Sequence, residues 1–514
     1  MDIEQLEAKR QALQADLDKQ KCAKDRNAMG QFATPIGLAT DVLTHAKNLL
    51  PPGKNVRFLD PAFGTGSFYS ALKKVFPKTQ IEVAAGFEID EHYGRPALDL
   101  WKNTGLECLI ADFTLQRPPV EEKKFNLIVC NPPYIRHHHL KDKKERLNAK
   151  ARDVANMNIS GLAGLYCYFL AIAHGWMKQN GIAGWLIPSE FMDVNYGQSV
   201  KNYLLNEVTL IQVHRFDPSD IQFEDALVSS AVIWFQNKKP AKDHKVKFTY
   251  GNAIDRPAHE KDVSISSLAS EKKWTRFPLA KERVRRSVGT VGDFFDVKRG
   301  IATGDNRFFV LTREMIEDRG LPLDQFRPVL PTPRYLDETV INADACGFPD
   351  IKNRLFVLDS KIPIEEMGRI YPALHKYIEE GIRQGVSEKY LCAKRKFWYS
   401  QENRPPSPFY CTYIGRTGKE GGRPFRFILN RSSAIVTNSY LILYPKPLLK
   451  KLIEKRPELS GRIFDALSQI TGQAMIDEAR VYGGGMRKIE PKELLNVEAP
   501  ELSSLISGLQ QVSN

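Results

Sequence analysis

Between Val56 and Gln236 the chain alternates short apolar runs with helical stretches, and this rhythm limits the possible folds more than any other feature. VRFLD (56–60), IEVAAGFEID (81–90), CLIAD (108–112), FNLIVC (125–130), IAGWLIP (182–188) and TLIQVHRF (209–216) read as buried strands. Helical segments near 37–50, 67–76, 92–104, 161–179 and 197–206 separate them. Strand–helix–strand crossovers are right-handed, so the series predicts an α/β fold built on a doubly wound, largely parallel sheet. SSAVIWFQ (229–236) follows the last run with no helix between, which predicts an antiparallel edge hairpin and makes the sheet mixed.

Upstream, residues 3–20 form one amphipathic helix with Ile3, Leu6, Leu13 and Leu17 on a shared face and Arg10 interrupting it. The pattern is too short for a coiled coil, so docking on its own domain is expected, and a monomer. The alternation stops near Asn237, where NKKPAKDHKVK reads as a linker or surface hairpin. From about residue 285 the chain is irregular and rich in Arg, Gly, Pro and Tyr. The expected organisation is an N-terminal helix (1–28), the α/β domain (29–240), a boundary region (241–290) and an irregular α+β domain (291–514).

Composition narrows the function classes. A hydrophobic fraction of 42% excludes a largely disordered chain, and 74 basic against 61 acidic residues, a net +13, suit a polyanionic partner. The longest nearly apolar run, Gly164 to Met177, is 14 residues and carries His174; a membrane span needs ~20, so this is a buried helix. MDIEQLEAKR lacks the apolar region of a secretory signal, so a cytoplasmic, nucleoid-associated protein is expected. Seven cysteines without a CxxC pair indicate neither a disulfide framework nor a thiolate zinc site.

FLDPAFGTGSF (58–68) is an apolar strand ending at Asp60, followed by a Gly64–Gly66 turn into a helix. A side chain at these glycines would keep the backbone from approaching a ligand. Glu88 ends the next strand, 22 residues past Gly66, where a carboxylate can accept both hydrogens of a ribose diol. Asp112 ends the third, placed for an adenine amino group. Three successive strands ending in acids suggest an adenosine ligand. GxGxxG and GxxxxGK[ST] are both absent from the turn, which disfavours NAD and a P-loop.

NPPY (131–134) follows FNLIVC directly. An aromatic amino group is a poor nucleophile because its lone pair is delocalised into the ring. Two acceptors aimed at its hydrogens, the Asn131 side-chain oxygen and the Pro132 carbonyl, favour a tetrahedral nitrogen with a localised pair. Tyr134 offers a ring for a planar base to stack on. HHH (137–139) reads as a basic loop beside a nucleic acid, since adjacent histidines cannot all face one ion; no metal is expected. Ser189 has no GxSxG elbow around it, and the cysteines sit mostly in apolar runs as core thiols.

This arrangement resembles the gamma class of N6-adenine DNA methyltransferases, the TaqI type, over residues 27–236 in motif order. The resemblance implies S-adenosylmethionine as cofactor, with GQFATP (30–35) closing over it through Thr34. It implies cofactor contacts from Asp60, Pro61, Ala62, Phe63, Gly64 and Gly66, and from Glu88 (ribose), Asp112 (adenine) and Pro133. It also implies that Phe223 presses on the second face of an extruded adenine, making Asn131, Pro132, Tyr134 and Phe223 the catalytic set. Asp60 replaces a glutamate of the TaqI type, and Phe63 is bulky for its loop. The implied partner is double-stranded DNA, with a separate cognate restriction endonuclease, because no PD…(D/E)xK nuclease pattern precedes the first motif.

In the C-terminal half, VKRGIATGDNRFF (297–309), RKFWYSQENR (395–404), YIGRTGKEGGRPFRF (413–427) and YGGGMRK (482–488) interleave basic, aromatic and glycine residues. Such segments suit phosphate contact and base reading, and as a set they resemble target-recognition regions, with a weaker likeness to the PstI/BsuBI type. Arg299, Lys396, Trp398, Arg416, Arg423, Arg426 and Lys488 are the expected DNA contacts. The rival readings are a protein glutamine N5-methyltransferase or an RNA methyltransferase, which share the NPPY chemistry, and a nucleic-acid-binding module with an inactive methyltransferase fold.

Overall fold

The computed structural model describes residues 2–140, 142–217, 229–278, 289–416, 424–482 and 486–511. The chain divides into two compact units, Met1–Arg283 with Val481–Gly485, and Val284–Arg480 with Met486–Asn514.

The first unit is built on nine strands: β1 (Val56–Asp60), β2 (Ile81–Glu88), β3 (Leu106–Ile110), β4 (Phe125–Cys130), β5 (Met177–Pro188), β6 (Thr209–Phe216), β7 (Ser230–Gln236), β8 (Lys245–Gly251) and β9 (His259–Ser264). Their spatial order is β3-β2-β1-β4-β5-β7-β6-β8-β9. β3 through β5 run parallel, and β7 is antiparallel to both neighbours. The helices are α1 (Ile3–Gln20), α2 (Ala23–Met29), α3 (Ile36–Leu49), α4 (Ser67–Val75), α5 (Glu91–Leu100), α6 (Lys144–Ala155), α7 (Leu165–His174), α8 (Gln198–Asn206) and the short α9 (Ile265–Ser270).

The central strands are apolar on both faces because both faces are covered, as a doubly wound sheet requires. Phe58, Leu127, Val129, Leu186 and Trp234 pack with α1, α3 and α4, while Ile128, Cys130, Trp185, Ile187 and Phe235 pack with α6, α7 and α8. The unit is therefore a three-layer α/β sandwich of the Rossmann-like class.

Two expectations need correction. SSAVIWFQ is not an edge hairpin: β7 is inserted between β5 and β6, and an interior strand must be apolar on both faces, as its six leading buried residues are. The stretch from 245 to 264, expected within a boundary region, instead adds β8 and β9 to the sheet. KVKFTY alternates, with Val246 and Phe248 buried and Lys245 exposed, so its lysines mark the solvent face of a strand.

α1 docks on α4 and α5. Its N-cap is Asp2, whose side chain accepts from the Gln5 amide at 2.8 Å. Arg10, which seemed to interrupt the apolar face, is buried there with Glu7 as its partner at 2.7 Å. A buried charge tolerates that position only because it is paired.

The second unit is α+β. Its five-stranded sheet has the spatial order Phe295–Arg299, Tyr440–Pro445, Phe409–Thr412, Phe427–Asn430, Val340–Ile341. A three-stranded sheet of Val310–Thr312, Leu355–Leu358 and Phe326–Val329 packs with the helix Pro372–Arg383. Among the described residues, no helix is long and apolar enough to cross a membrane.

Candidate active site

The site lies where β1, β2 and β4 end. After Asp60 the chain turns through Gly64 (φ +57°) and Gly66 (φ +92°), which starts α4. Gly66 has a second reason to lack a side chain: a Cβ would lie 2.6 Å from the Phe63 ring and 2.7 Å from Trp101 Nε1. The Phe63 ring is itself buried between Gly66 and Gly86. A bulky residue is thus accommodated by turning into the core, so the ring is structural and only its backbone belongs to the turn.

Glu88 closes the other side of this turn, Oε2 accepting from the Gly64 amide and Oε1 from the Asp90 amide, each at 2.8 Å. Burial pushes its carboxyl above the ordinary value, and the two amides counter that in part. Asp60 is almost fully buried, with one hydrogen bond, from the Ala62 amide at 3.1 Å; burial pushes it up to about 8, and the nearby Glu88 charge adds to the rise. Asp112 lies two residues past the end of β3, its Oδ1 accepting from the Thr114 amide and hydroxyl at 2.9 and 2.6 Å.

A cleft of about 410 Å³ runs over this edge, lined by Pro61, Ala62, Gly64, Glu88, Asp112, Asn131 and Pro133. That is within the ~300–1,000 Å³ of small-molecule sites. A smaller adjoining cavity of about 50 Å³ is lined by Thr34, Asp60, Ser67 and Asn131. Sequence reasoning missed Gln14 and Asp18 of α1, Phe32 and Tyr93, which also line the cleft. The i, i+4 polar pair on α1 was the available signal, but nothing in the sequence said which way that face points.

Asn131 is the most constrained polar group here. Its Nδ2 donates to the Phe32 carbonyl at 3.0 Å and to Thr34 Oγ1 at 3.1 Å. Both amide hydrogens are thereby used, which fixes the flip and leaves Oδ1 buried with no partner. A buried acceptor left open costs about 1–3 kcal/mol, so its presence asks for a ligand donor. Thr34, expected to touch a cofactor, lines the smaller cavity and also orients Asn131, and its own carbonyl accepts from Ser67 Oγ at 2.8 Å. The segment carrying Thr34 is clamped by Gly30 (φ +63°), where a Cβ would lie 2.4 Å from the Tyr134 nitrogen. Tyr134 is half-buried, its hydroxyl donating to the Leu186 carbonyl at 3.1 Å and its ring 5.6 Å from that of Phe32.

Residues 74–222 match the Eco57I restriction-modification methylase family, and residues 271–514 match the C-terminal domain of type II methyltransferase M.Eco57I. The chain is 25% identical to type II methyltransferase M.AccI of Acinetobacter calcoaceticus, over 94% of this chain and 87% of that one. It is 24% identical to type II methyltransferase M.XamI of Xanthomonas campestris pv. amaranthicola, over 93% and 86%. The chain belongs to the type II restriction-modification methyltransferases. Its fold is shared with the type IIL restriction-modification enzyme MmeI, whose structure is in complex with DNA (TM-score 0.53, 15% identity); the match covers 86% of this chain and 66% of MmeI.

Those of the expected DNA-contact residues of the methyltransferase that are described fall into two groups. Lys396 and Arg416 are exposed. The others are engaged within their own unit. Arg299 lies 4.0 Å over the Tyr413 ring and donates to the Asn438 carbonyl at 3.2 Å. Arg426 donates to the carbonyls of Pro333, Leu336 and Asp337 at 2.7, 2.8 and 3.3 Å. Trp398 packs between Phe308, Phe309 and Tyr399. Lys488 pairs with Glu490 at 3.0 Å. Phe223 and Arg423 lie outside the described residues. His139 reaches the cleft lining, while Pro132 is buried behind it.

Proposed function

We propose that this methyltransferase transfers a methyl group from S-adenosylmethionine to N6 of an adenine turned out of duplex DNA, within a restriction-modification system. The observation that carries the reading is the buried, unpartnered Oδ1 of Asn131. S-adenosylmethionine suits the cleft: Glu88 and Asp112 supply acceptors for the ribose diol and the adenine amino group, and the Gly64–Gly66 turn leaves room for the chain of the ligand. When bound, the cofactor supplies a methyl carbon made electrophilic by its sulfonium.

The work of the protein is on the nucleophile. Asn131 Oδ1 accepts from one adenine amino hydrogen and the Pro132 carbonyl from the other, which localises the lone pair toward the donor. Because Phe32 and Thr34 hold the amide, it needs no reorganisation when the base arrives. Tyr134, tethered at its hydroxyl, presents a ring for stacking worth ~1–3 kcal/mol, and Phe223 takes the second face. These interactions offset the few kcal/mol needed to extrude the base. Approach to DNA belongs to the second unit, with exposed Lys396 and Arg416 contacting phosphate.

Labelled S-adenosylmethionine offered with duplex DNA, RNA or a glutamine-containing protein tests the reading. Label should enter DNA as N6-methyladenine. Asn131→Ala should cut transfer by ~100–1,000-fold while cofactor affinity stays within about threefold. Label in RNA or protein, or an equal loss of cofactor binding and turnover, would overturn the assignment.

A further inference from the structure

α1 reaches the cleft through an unbroken series of hydrogen bonds whose direction is fixed at every step. Arg10, buried and bound to Glu7 through both Nε (2.8 Å) and Nη2 (2.7 Å), can only donate, and its Nη1 donates to Thr65 Oγ1 at 3.1 Å. The Thr65 hydroxyl therefore gives its one hydrogen to Gln14 Oε1, at 2.7 Å. That sets the Gln14 amide, whose Nε2 donates to Asp18 Oδ1 at 3.0 Å. Tyr93 Oη also donates to Asp18 Oδ1, at 2.8 Å. Thr65 belongs to the glycine turn itself, and Tyr93 to α5, the helix that follows β2.

Gln14 and Asp18 both line the cleft, Gln14 the smaller cavity as well. The relay consumes one oxygen of Asp18 and one amide hydrogen of Gln14. The remaining carboxylate oxygen can accept from a hydroxyl or ammonium group, and the remaining amide hydrogen can reach an acceptor. Both are what the ribose and amino-acid portions of the cofactor offer. Asp18 is also held at its backbone, where its carbonyl accepts from the Arg26 guanidinium. A surface helix with no role in the site would need none of this registration.

We propose that Gln14 and Asp18 are cofactor-binding residues and that Thr65, through Gln14, is the positioning residue that registers α1 against the glycine turn. The proposal rests on S-adenosylmethionine being the ligand of the cleft. Docking of α1 and cofactor binding are then linked, each strengthening the other by the same factor.

The test uses the full chain. Asp18→Asn keeps the acceptor used by Gln14 and Tyr93 but removes the charge, and should weaken S-adenosylmethionine binding by about tenfold or more in calorimetry; Gln14→Leu should do likewise. Thr65→Val should weaken it similarly and Thr65→Ser should restore it, a rescue that loss of packing alone would not give. Hydrogen exchange of the α1 amides should slow when S-adenosylmethionine is added to the wild type and not when it is added to Thr65→Val. Wild-type binding with Asp18→Asn and Gln14→Leu both within about twofold overturns the assignment of α1 and leaves the cofactor reading standing. A wild-type chain that binds no S-adenosylmethionine overturns both.

Discussion

Replacing Gly30, at the rim of the cleft, with alanine should damage the catalytic turn through the backbone it packs against. Gly30 has φ +63°, and its carbonyl accepts from the Tyr134 amide at 3.2 Å. An alanine there pays ~1–2 kcal/mol for the left-handed conformation. Its Cβ would also lie 2.4 Å from the Tyr134 nitrogen and 2.8 Å from that of Ile135, where ordinary contact begins at 3.4 Å. Backbone must therefore move by about 1 Å, and the hydrogen bond worth roughly 0.5–1.5 kcal/mol is strained or lost. The expected total is ~2–3 kcal/mol of stability, and a displacement of this size beside the reacting group costs ~100-fold in rate. Gly53 is the matched control: it has φ +73° with nothing within 4 Å of a built Cβ. Gly53→Ala should lose only the conformational term and leave the rate untouched. Urea midpoints and initial rates of labelled methyl transfer read both effects. Equal behaviour of the two variants would refute the claim that segment 30–34 clamps the NPPY turn.

Glu88→Ala should weaken S-adenosylmethionine binding by ~1.5–3 kcal/mol, the worth of hydrogen bonds to a charged group, with calorimetry on the folded variant as the check. Asp60, raised to about 8 by burial, remains protonated in the folded chain while the unfolded chain ionises near ~4. Its contribution to stability is full below pH ~4 and is lost as pH rises to about 8, so Asp60→Asn should gain on the wild type across that window, by more than ~1.4 kcal/mol between the ends. Urea midpoints that keep a constant difference at pH 5 and pH 8 would contradict this. Lys396→Ala and Arg416→Ala should each lower the salt slope of DNA binding by about 1, whereas Arg426→Ala should lower thermal stability, having lost three carbonyl partners.

The first unit was largely legible because its signals are local: each strand from β1 to β6 carries a short apolar run, and the glycine turn and NPPY follow their strands directly. What failed was placement that depends on distant pairing. β7 was read as an edge although SAVIWFQ is apolar on both faces, which only an interior strand needs. β8 and β9 were hidden by lysines whose period-2 alternation was present but overridden by composition. In the second unit the limit is different in kind. An Arg or Trp beside glycines looks the same in sequence whether it meets DNA or its own fold; Arg299 over Tyr413 and Trp398 against Phe308 resolved toward the fold. Thr34 illustrates a subtler gap: nothing in the sequence shows that its hydroxyl accepts from the Asn131 amide 97 residues away.

The proline after Asn131 also bears on chemical ageing. Asparagine side chains deamidate when the next backbone nitrogen attacks the amide carbon to close a succinimide, and Pro132 has no N–H to do so. The group whose neutrality the chemistry depends on is thus protected by covalent structure alone. Asn180, itself exposed and followed by Gly181, has no such covalent protection. As a preparation ages, isoaspartate should accumulate at Asn180 while Asn131 stays an amide, so the catalytic turn would outlast the surface around it.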